Sequence, residues 1–260
     1  MQRQVAGVQR WRGTLSVEPL LRKFMATFVM IHGGWRGGWI WKRVARQLRN
    51  TGHDVYTPTL TGLADRSHLL HAGINLSTHI EEIISLIKFE EMNDIVLCGH
   101  SYSGMVISAV ADQLSKRISS LVYLDAWFPQ DGDSIMKLSP EEFQLMHIRD
   151  AGQHGGVACS PIPAELLHVN ERDRAWVNDK ATPHPLCTMT EAIRLKGNHL
   201  QIRNKTYILA SAWNPNPFER FYQQLRVDPA WTTRTIASGH DAMLDDPDGV
   251  VELLRAATPR

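Results

Sequence analysis

The sequence predicts an α/β fold: a mostly parallel, doubly wound sheet with a helical cap inserted between two of its strands. Three observations carry that prediction. Short apolar runs alternate with stretches of helical periodicity along most of the chain, as parallel strands joined by crossover helices require. One run, residues 95–98, passes through Gly99-His100-Ser101-Tyr102-Ser103-Gly104 directly into a helical stretch. Residues 127–204, rich in Pro, His, Gly and charged side chains, interrupt the alternation before it resumes.

The first strand covers residues 28–31 and ends in His32-Gly33-Gly34-Trp35-Arg36-Gly37-Gly38-Trp39. Apolar residues at 40, 41, 44, 45 and 48 then follow helical spacing, and Gly52 ends that helix. Residues 54–60 read as the second strand, closed by Thr61-Gly62. Ile80, Ile83, Ile84 and Ile87 share one face of a helix over 76–89, with Thr78 and Glu81 as its capping box. The strand at 95–98 leads to a helix over 103–114, followed by a strand at 118–124 that ends in Asp125-Ala126. Within 127–204 the pattern predicts helical pieces near 139–148, 163–169 and 188–196 and no strand. Order returns with a strand at 205–211, a helix at 218–226, a strand at 232–237 leading to Ser238-Gly239-His240, and a closing helix at 247–257. The chain therefore divides into a core of 25–126 and 205–260 and a cap of 127–204. The cap is expected over the carboxyl ends of the strands, where open α/β sheets form their ligand crevices.

With 260 residues, 43% hydrophobic and 21% charged, the expectation is one large globular domain. A formal net charge of +1 gives the surface no pull toward nucleic acid or acidic lipid. Cys98, Cys159 and Cys187 show no paired spacing, which points to a reducing compartment and a cytoplasmic location. No run approaches the ~20 apolar residues of a membrane span. Residues 1–24 hold four Arg, one Lys and one Glu without a long apolar stretch. They read as a non-catalytic extension, with Met25 as an alternative start before the first strand. No metal, nucleotide or nucleic-acid motif is present, so no cofactor is expected.

A serine at the apex of a strand-to-helix turn is pushed out of the backbone envelope toward substrate, which makes Ser101 the candidate nucleophile. The strict G-x-S-x-G motif places Gly at position 103; Ser is also small enough for the close strand–helix approach. A serine hydroxyl needs a base, and the base needs a third group to hold its tautomer. Of twelve histidines, His240 follows the last strand in a Gly-His turn, where a loop can hang it over the serine. His168, His184 and His199 fall in the cap and read as solvated or substrate-lining, and His100 as pointing into the turn. The usual place for the acid, after the strand that follows the cap, holds only neutral Asn214 and Asn216, with Glu219 inside a predicted helix. Asp125 comes 24 residues after Ser101, one strand along at the same carboxyl edge. Asp125 is the preferred acid and Glu219 the alternative. The oxyanion is assigned to the N–H groups of Tyr102 and of the glycine loop, with Gly34 the donor there.

His32-Gly33-Gly34-Trp35, Gly99-His100-Ser101-Tyr102-Ser103-Gly104 and Gly239-His240, in this order, resemble the α/β-hydrolase superfamily over roughly residues 25–258. The stretch from His32 to Trp41, Thr57-Pro58-Thr59-Leu60-Thr61-Gly62 and Gly239-His240-Asp241-Ala242-Met243 are most similar to a branch of small carboxylesterases. That branch holds pyrethroid hydrolases and is related to plant methylesterases and hydroxynitrile lyases. The resemblance implies a Ser-His-Asp carboxylesterase. Hydroxynitrile lyases of the branch carry Thr in the oxyanion loop and Lys after the catalytic His; here those positions are Gly33 and Asp241. With no cation there to hold a leaving cyanide, an esterase is favoured over a lyase or a non-hydrolytic ligand receptor. Leu138, Phe143, Leu145, Met146, Leu166, Leu167, Trp176 and Met189 are the cap's possible apolar lining, which favours a small hydrophobic ester as substrate. A homodimer is left open as an expectation.

Overall fold

The computed structural model describes residues 25–259, so the extension read over 1–24 lies outside the described residues. Six parallel strands form one sheet in the order β2-β1-β3-β4-β7-β8. They are β1 (Thr27–Ile31), β2 (Asp54–Tyr56), β3 (Ile95–Ser101), β4 (Ile118–Ala126), β7 (Asn204–Ala210) and β8 (Thr232–Ile236). β1 explains why the sheet is covered on both sides. Its Phe28 and Met30 enter one apolar layer and its Val29 and Ile31 the other, and all four are fully buried. This is the period-two alternation of a strand with no solvent face.

Helices α1 (Lys42–Asn50) and α10 (Pro247–Ala256) bury Val44, Leu48, Val250 and Leu254 against the Phe28 layer. Helices α2 (Leu76–Phe89) and α3 (Ser103–Gln113) bury Ile80, Ile83, Met105 and Val106 against the Val29 layer. The fold is therefore the predicted α/β class with a parallel central sheet. Gly52 follows α1 at φ +88°, the left-handed conformation that ends a helix at low cost.

Three local expectations need correction. The capping box of α2 is Asn75 with Thr78, not Thr78 with Glu81: Asn75 Oδ1 accepts from Thr78 N at 2.9 Å, and Thr78 Oγ1 accepts from Asn75 N at 3.3 Å. Thr78 sits at the third helical position, so the motif is one turn earlier. The second strand is only Asp54–Tyr56 and does not run on to residue 60. Between β4 and β7 the chain does hold strands, the two-residue β5 (Ala158–Cys159) and β6 (His184–Pro185), paired antiparallel.

The same segment carries α4 (Ile135–Leu138), α5 (Glu141–Gln153), α6 (Glu171–Lys180) and α7 (Cys187–Thr190), whereas 163–169 is turn rather than helix. α6 escaped the periodicity reading because only Asp173 and Val177 of its ten residues are buried. A helix that is polar nearly all round leaves no apolar stripe to detect. After β7 come α8 (Glu219–Leu225) and, past β8, α9 (Ala242–Asp245).

Candidate active site

Ser101 closes β3 at the centre of the sheet with φ +53°. A non-glycine residue in that region is strained, and such strain persists where surrounding structure over-determines it. Two neighbours do so. Gly104, in the first turn of α3, packs so close to the chain after β4 that a Cβ there would lie 1.9 Å from Trp127 O. Ser103, in the place of the motif's usual glycine, donates its hydroxyl to His32 O and so ties α3 to the loop after β1.

Asp125 reaches the site through an irregularity in the sheet. His100 pairs with Leu124 and Ser101 with Ala126, so Asp125 is the extra residue of a bulge, at φ +44°. Bulges re-aim side chains, and this one turns a fully buried carboxylate toward the last loop. Asp125 Oδ2 lies 2.6 Å from His240 Nδ1. Its Oδ1 accepts from Ala210 N at 3.0 Å and from Asn216 Nδ2 at 2.8 Å. Glu219, the alternative acid, starts α8 on the exposed surface and pairs with Gln223 instead. Asn216, passed over as neutral, holds the carboxylate that meets the histidine. Only its nearness to the usual acid position hinted at this.

His240 follows β8 in a loop pinned from two sides. Its N–H donates to Leu167 O at 2.9 Å, and a Cβ on Gly239 would lie 2.1 Å from His168 O. The imidazole is packed between His100 and Trp213, each ring centroid at 4.4 Å. Since the Asp125 carboxylate only accepts, Nδ1 donates in this contact, and in the neutral ring that tautomer leaves the lone pair on Nε2. Ser101, His240, Gly34 and Tyr102 line one pocket. In the glycine loop, Trp35 N is already taken by His184 Nδ1 at 3.3 Å. His184 itself is buried and neither solvated nor lining the pocket, and His199 is buried against Asp112 at 3.3 Å; both correct their sequence readings. His168 is exposed, as read.

Of the expected apolar lining, Phe143, Leu167 and Met189 do face the pocket, joined by Trp127, Ile162 and Phe218. Leu145, Met146 and Leu166 point outward at 42%, 50% and 65% exposure. Trp176 stacks edge-on against Trp39 at 4.9 Å, and Leu138 packs against the core.

At one end of the pocket lies a polar group the sequence reading missed. Arg36 and Asp241 are each 1% exposed and paired, Arg36 Nε donating to Asp241 Oδ2 at 3.2 Å. The position after His240 holds Asp241 and no cation, as read, but a cation does stand close by: Arg36, contributed by the loop after β1, with its charge met by Asp241. Burial alone would raise the Asp241 carboxyl, but the Arg36 guanidinium beside it holds it below its ordinary value. Burial pushes His100 down to about 3, so it is neutral. Its Nε2–H donates to His240 O at 3.0 Å. Among the described residues, His100, His240 and Asp241 are the one group whose donor atoms converge within 4.8 Å. The Arg36 guanidinium already supplies the counter-charge to that carboxylate, so the set does not suit a metal ion.

The profile of the alpha/beta hydrolase family matches residues 28–253. The chain is 41% identical to a carbendazim hydrolyzing esterase of Nocardioides sp. (strain SG-4G), over 89% of this chain and 99% of that one. Methylesterase 10 of Arabidopsis thaliana is 30% identical over 45% of this chain and 42% of its own. Among solved structures, an extracellular alpha/beta-hydrolase from a Paenibacillus species superposes with a TM-score of 0.77 at 23% identity, covering 90% of this chain and all (100%) of that one. With its parallel sheet, its strained serine turn and these relatives, the chain belongs to the alpha/beta hydrolase family.

Proposed function

We propose that this carboxylic ester hydrolase cleaves small hydrophobic esters through an acyl-enzyme on Ser101, with His240 as general base and Asp125 as the orienting acid. The observation that carries the reading is the 2.6 Å contact between His240 Nδ1 and Asp125 Oδ2 beside a serine held at φ +53°. His240 Nε2 takes the Ser101 proton as Oγ attacks the ester carbonyl. The N–H groups of Gly34 and Tyr102 hold the oxyanion, and each such donor is worth about 10²–10³ in rate. His240 then protonates the leaving alcohol, and water, activated the same way, releases the acid and frees Ser101.

Residues 127–204 act as the cap, contributing Ile135, Phe143, Ile162, Leu167 and Met189 to the pocket wall. That wall suits an apolar substrate, in keeping with the relative named for carbendazim hydrolysis. No helix among the described residues is long and apolar enough to cross a membrane. Free Cys98 and Cys159, both buried, support a cytoplasmic setting. A lyase would need an unneutralised cation beside the leaving group. Arg36 is paired with Asp241, so its presence does not shift the reading away from ester hydrolysis.

Fluorophosphonate labelling is the direct test. The expected result is stoichiometric modification of Ser101 with loss of p-nitrophenyl ester hydrolysis. An unlabelled but folded protein would point to a ligand receptor on this fold.

A further inference from the structure

The Arg36–Asp241 pair is costly for a purely structural contact. A guanidinium carries five N–H donors. Here one, on Nε, is used; Nη1 and Nη2 are buried with no partner, and so is Asp241 Oδ1. Each buried polar group left unsatisfied costs about 1–3 kcal/mol. Buried ion pairs are stabilising only when their remaining hydrogen-bonding positions are filled. Both residues line the same pocket as Ser101 and His240. The orphaned donors and the orphaned acceptor belong to two side chains joined by a single 3.2 Å contact, Arg36 Nε to Asp241 Oδ2.

We infer that Arg36 and Asp241 form a recognition subsite for an uncharged ligand edge that carries an N–H beside a hydrogen-bond acceptor. Lactams, carbamates and ring amidines present such an edge. The pair has no net charge, so a carboxylate gains nothing there that the Asp241 carboxylate does not oppose. A carbonyl oxygen or ring nitrogen accepts from the Arg36 Nη groups, while the neighbouring N–H donates to Asp241 Oδ1. A plain alkyl ester fills only half of the subsite. A site built to bond a substrate N–H rejects the analogue lacking it by a large factor, because the buried acceptor is then left unpaired. Esters bearing an N–H/acceptor edge are therefore the preferred substrates of the pocket. This inference rests on the reading of Ser101 as the nucleophile in that pocket.

The test measures binding apart from chemistry. Titration calorimetry on the Ser101→Ala protein compares 2-indolinone, whose lactam N–H adjoins its carbonyl, with 2-indanone, the same shape with CH₂ in place of N–H. The expected result is at least tenfold tighter binding of the lactam. That preference should fall below threefold when Arg36→Met and Asp241→Leu are added together. A preference under tenfold in the Ser101→Ala protein, or one that survives the added pair of substitutions, overturns the inference. The comparison in Ser101→Ala alone decides if the triple variant does not fold. Failure of the esterase reading shows separately, as absence of fluorophosphonate labelling at Ser101 in the unsubstituted protein.

Discussion

Two buried carboxylates at the site, Asp125 and Asp241, contrast in how fully their hydrogen-bonding capacity is used. Asp125 is fully buried and saturated, with His240 on one oxygen and Ala210 N and Asn216 Nδ2 on the other. Asp241 is equally buried, yet one oxygen and two nitrogens of its Arg36 partner have nothing to bond. A saturated carboxylate in a sheet bulge has one orientation and suits the holding of a base. An unsaturated pair gains only when something else arrives. The contrast teaches that burial alone does not distinguish machinery from recognition; the count of unfilled positions does.

Five measurements break or sharpen that comparison. Ser101→Ala is expected to lower kcat by on the order of 10⁶; residual turnover above a few per cent in a clean preparation would remove the nucleophile from Ser101. Asp125→Asn should cost roughly 10³–10⁴ in kcat, since the histidine loses the group that selects its tautomer. If Glu219→Gln does the greater damage, the acid has been misplaced.

The third measurement is the pH dependence of folding. Burial lowers His32 and His79 to about 4 and His100 to about 3. Between those values and the ordinary histidine value of about 6.5, the unfolded chain binds protons that the folded one does not. Stability therefore is full above about 6.5 and falls as pH drops toward about 4, each histidine contributing up to about 1.4 kcal/mol per pH unit. Urea unfolding at pH 7, 5.5 and 4.5 reads this, and a flat profile would mean that these histidines are not buried neutral.

Arg36→Met alone should destabilise the fold by about 3–5 kcal/mol, because it strands a buried carboxylate, whereas Arg36→Met with Asp241→Leu should recover most of that loss. Equal midpoints for the two variants would show that the pair is not coupled. The smallest effect expected is from Asn216→Ala, which removes one of the three hydrogen bonds on Asp125 and should lower kcat about tenfold at unchanged KM. A shifted KM instead would place Asn216 in substrate binding.

Much of the fold was legible because it is written in short-range patterns. The apolar strands, the isoleucine face of α2 and the serine turn are all visible within windows of a dozen residues. The reading failed where local pattern is weak. α6 has almost no buried face, and β5 and β6 are two residues each and exist only through their pairing with one another. Leu145, Met146 and Leu166 look like pocket residues by composition, yet they face solvent because orientation within the cap depends on what packs beneath it.

By itself the sequence determined the residue types that carry chemistry and the order in which they occur: a glycine loop, a serine turn, neutral asparagines at the customary acid position, and a late histidine. Only the tertiary structure decided which carboxylate meets that histidine, across 115 residues and through a strand bulge. It alone brought Arg36 onto Asp241 from 205 residues away and buried both. The reason is physical. Strand and helix periodicity is encoded between near neighbours, whereas bulges and buried pairs depend on register and packing between segments that share no local signal.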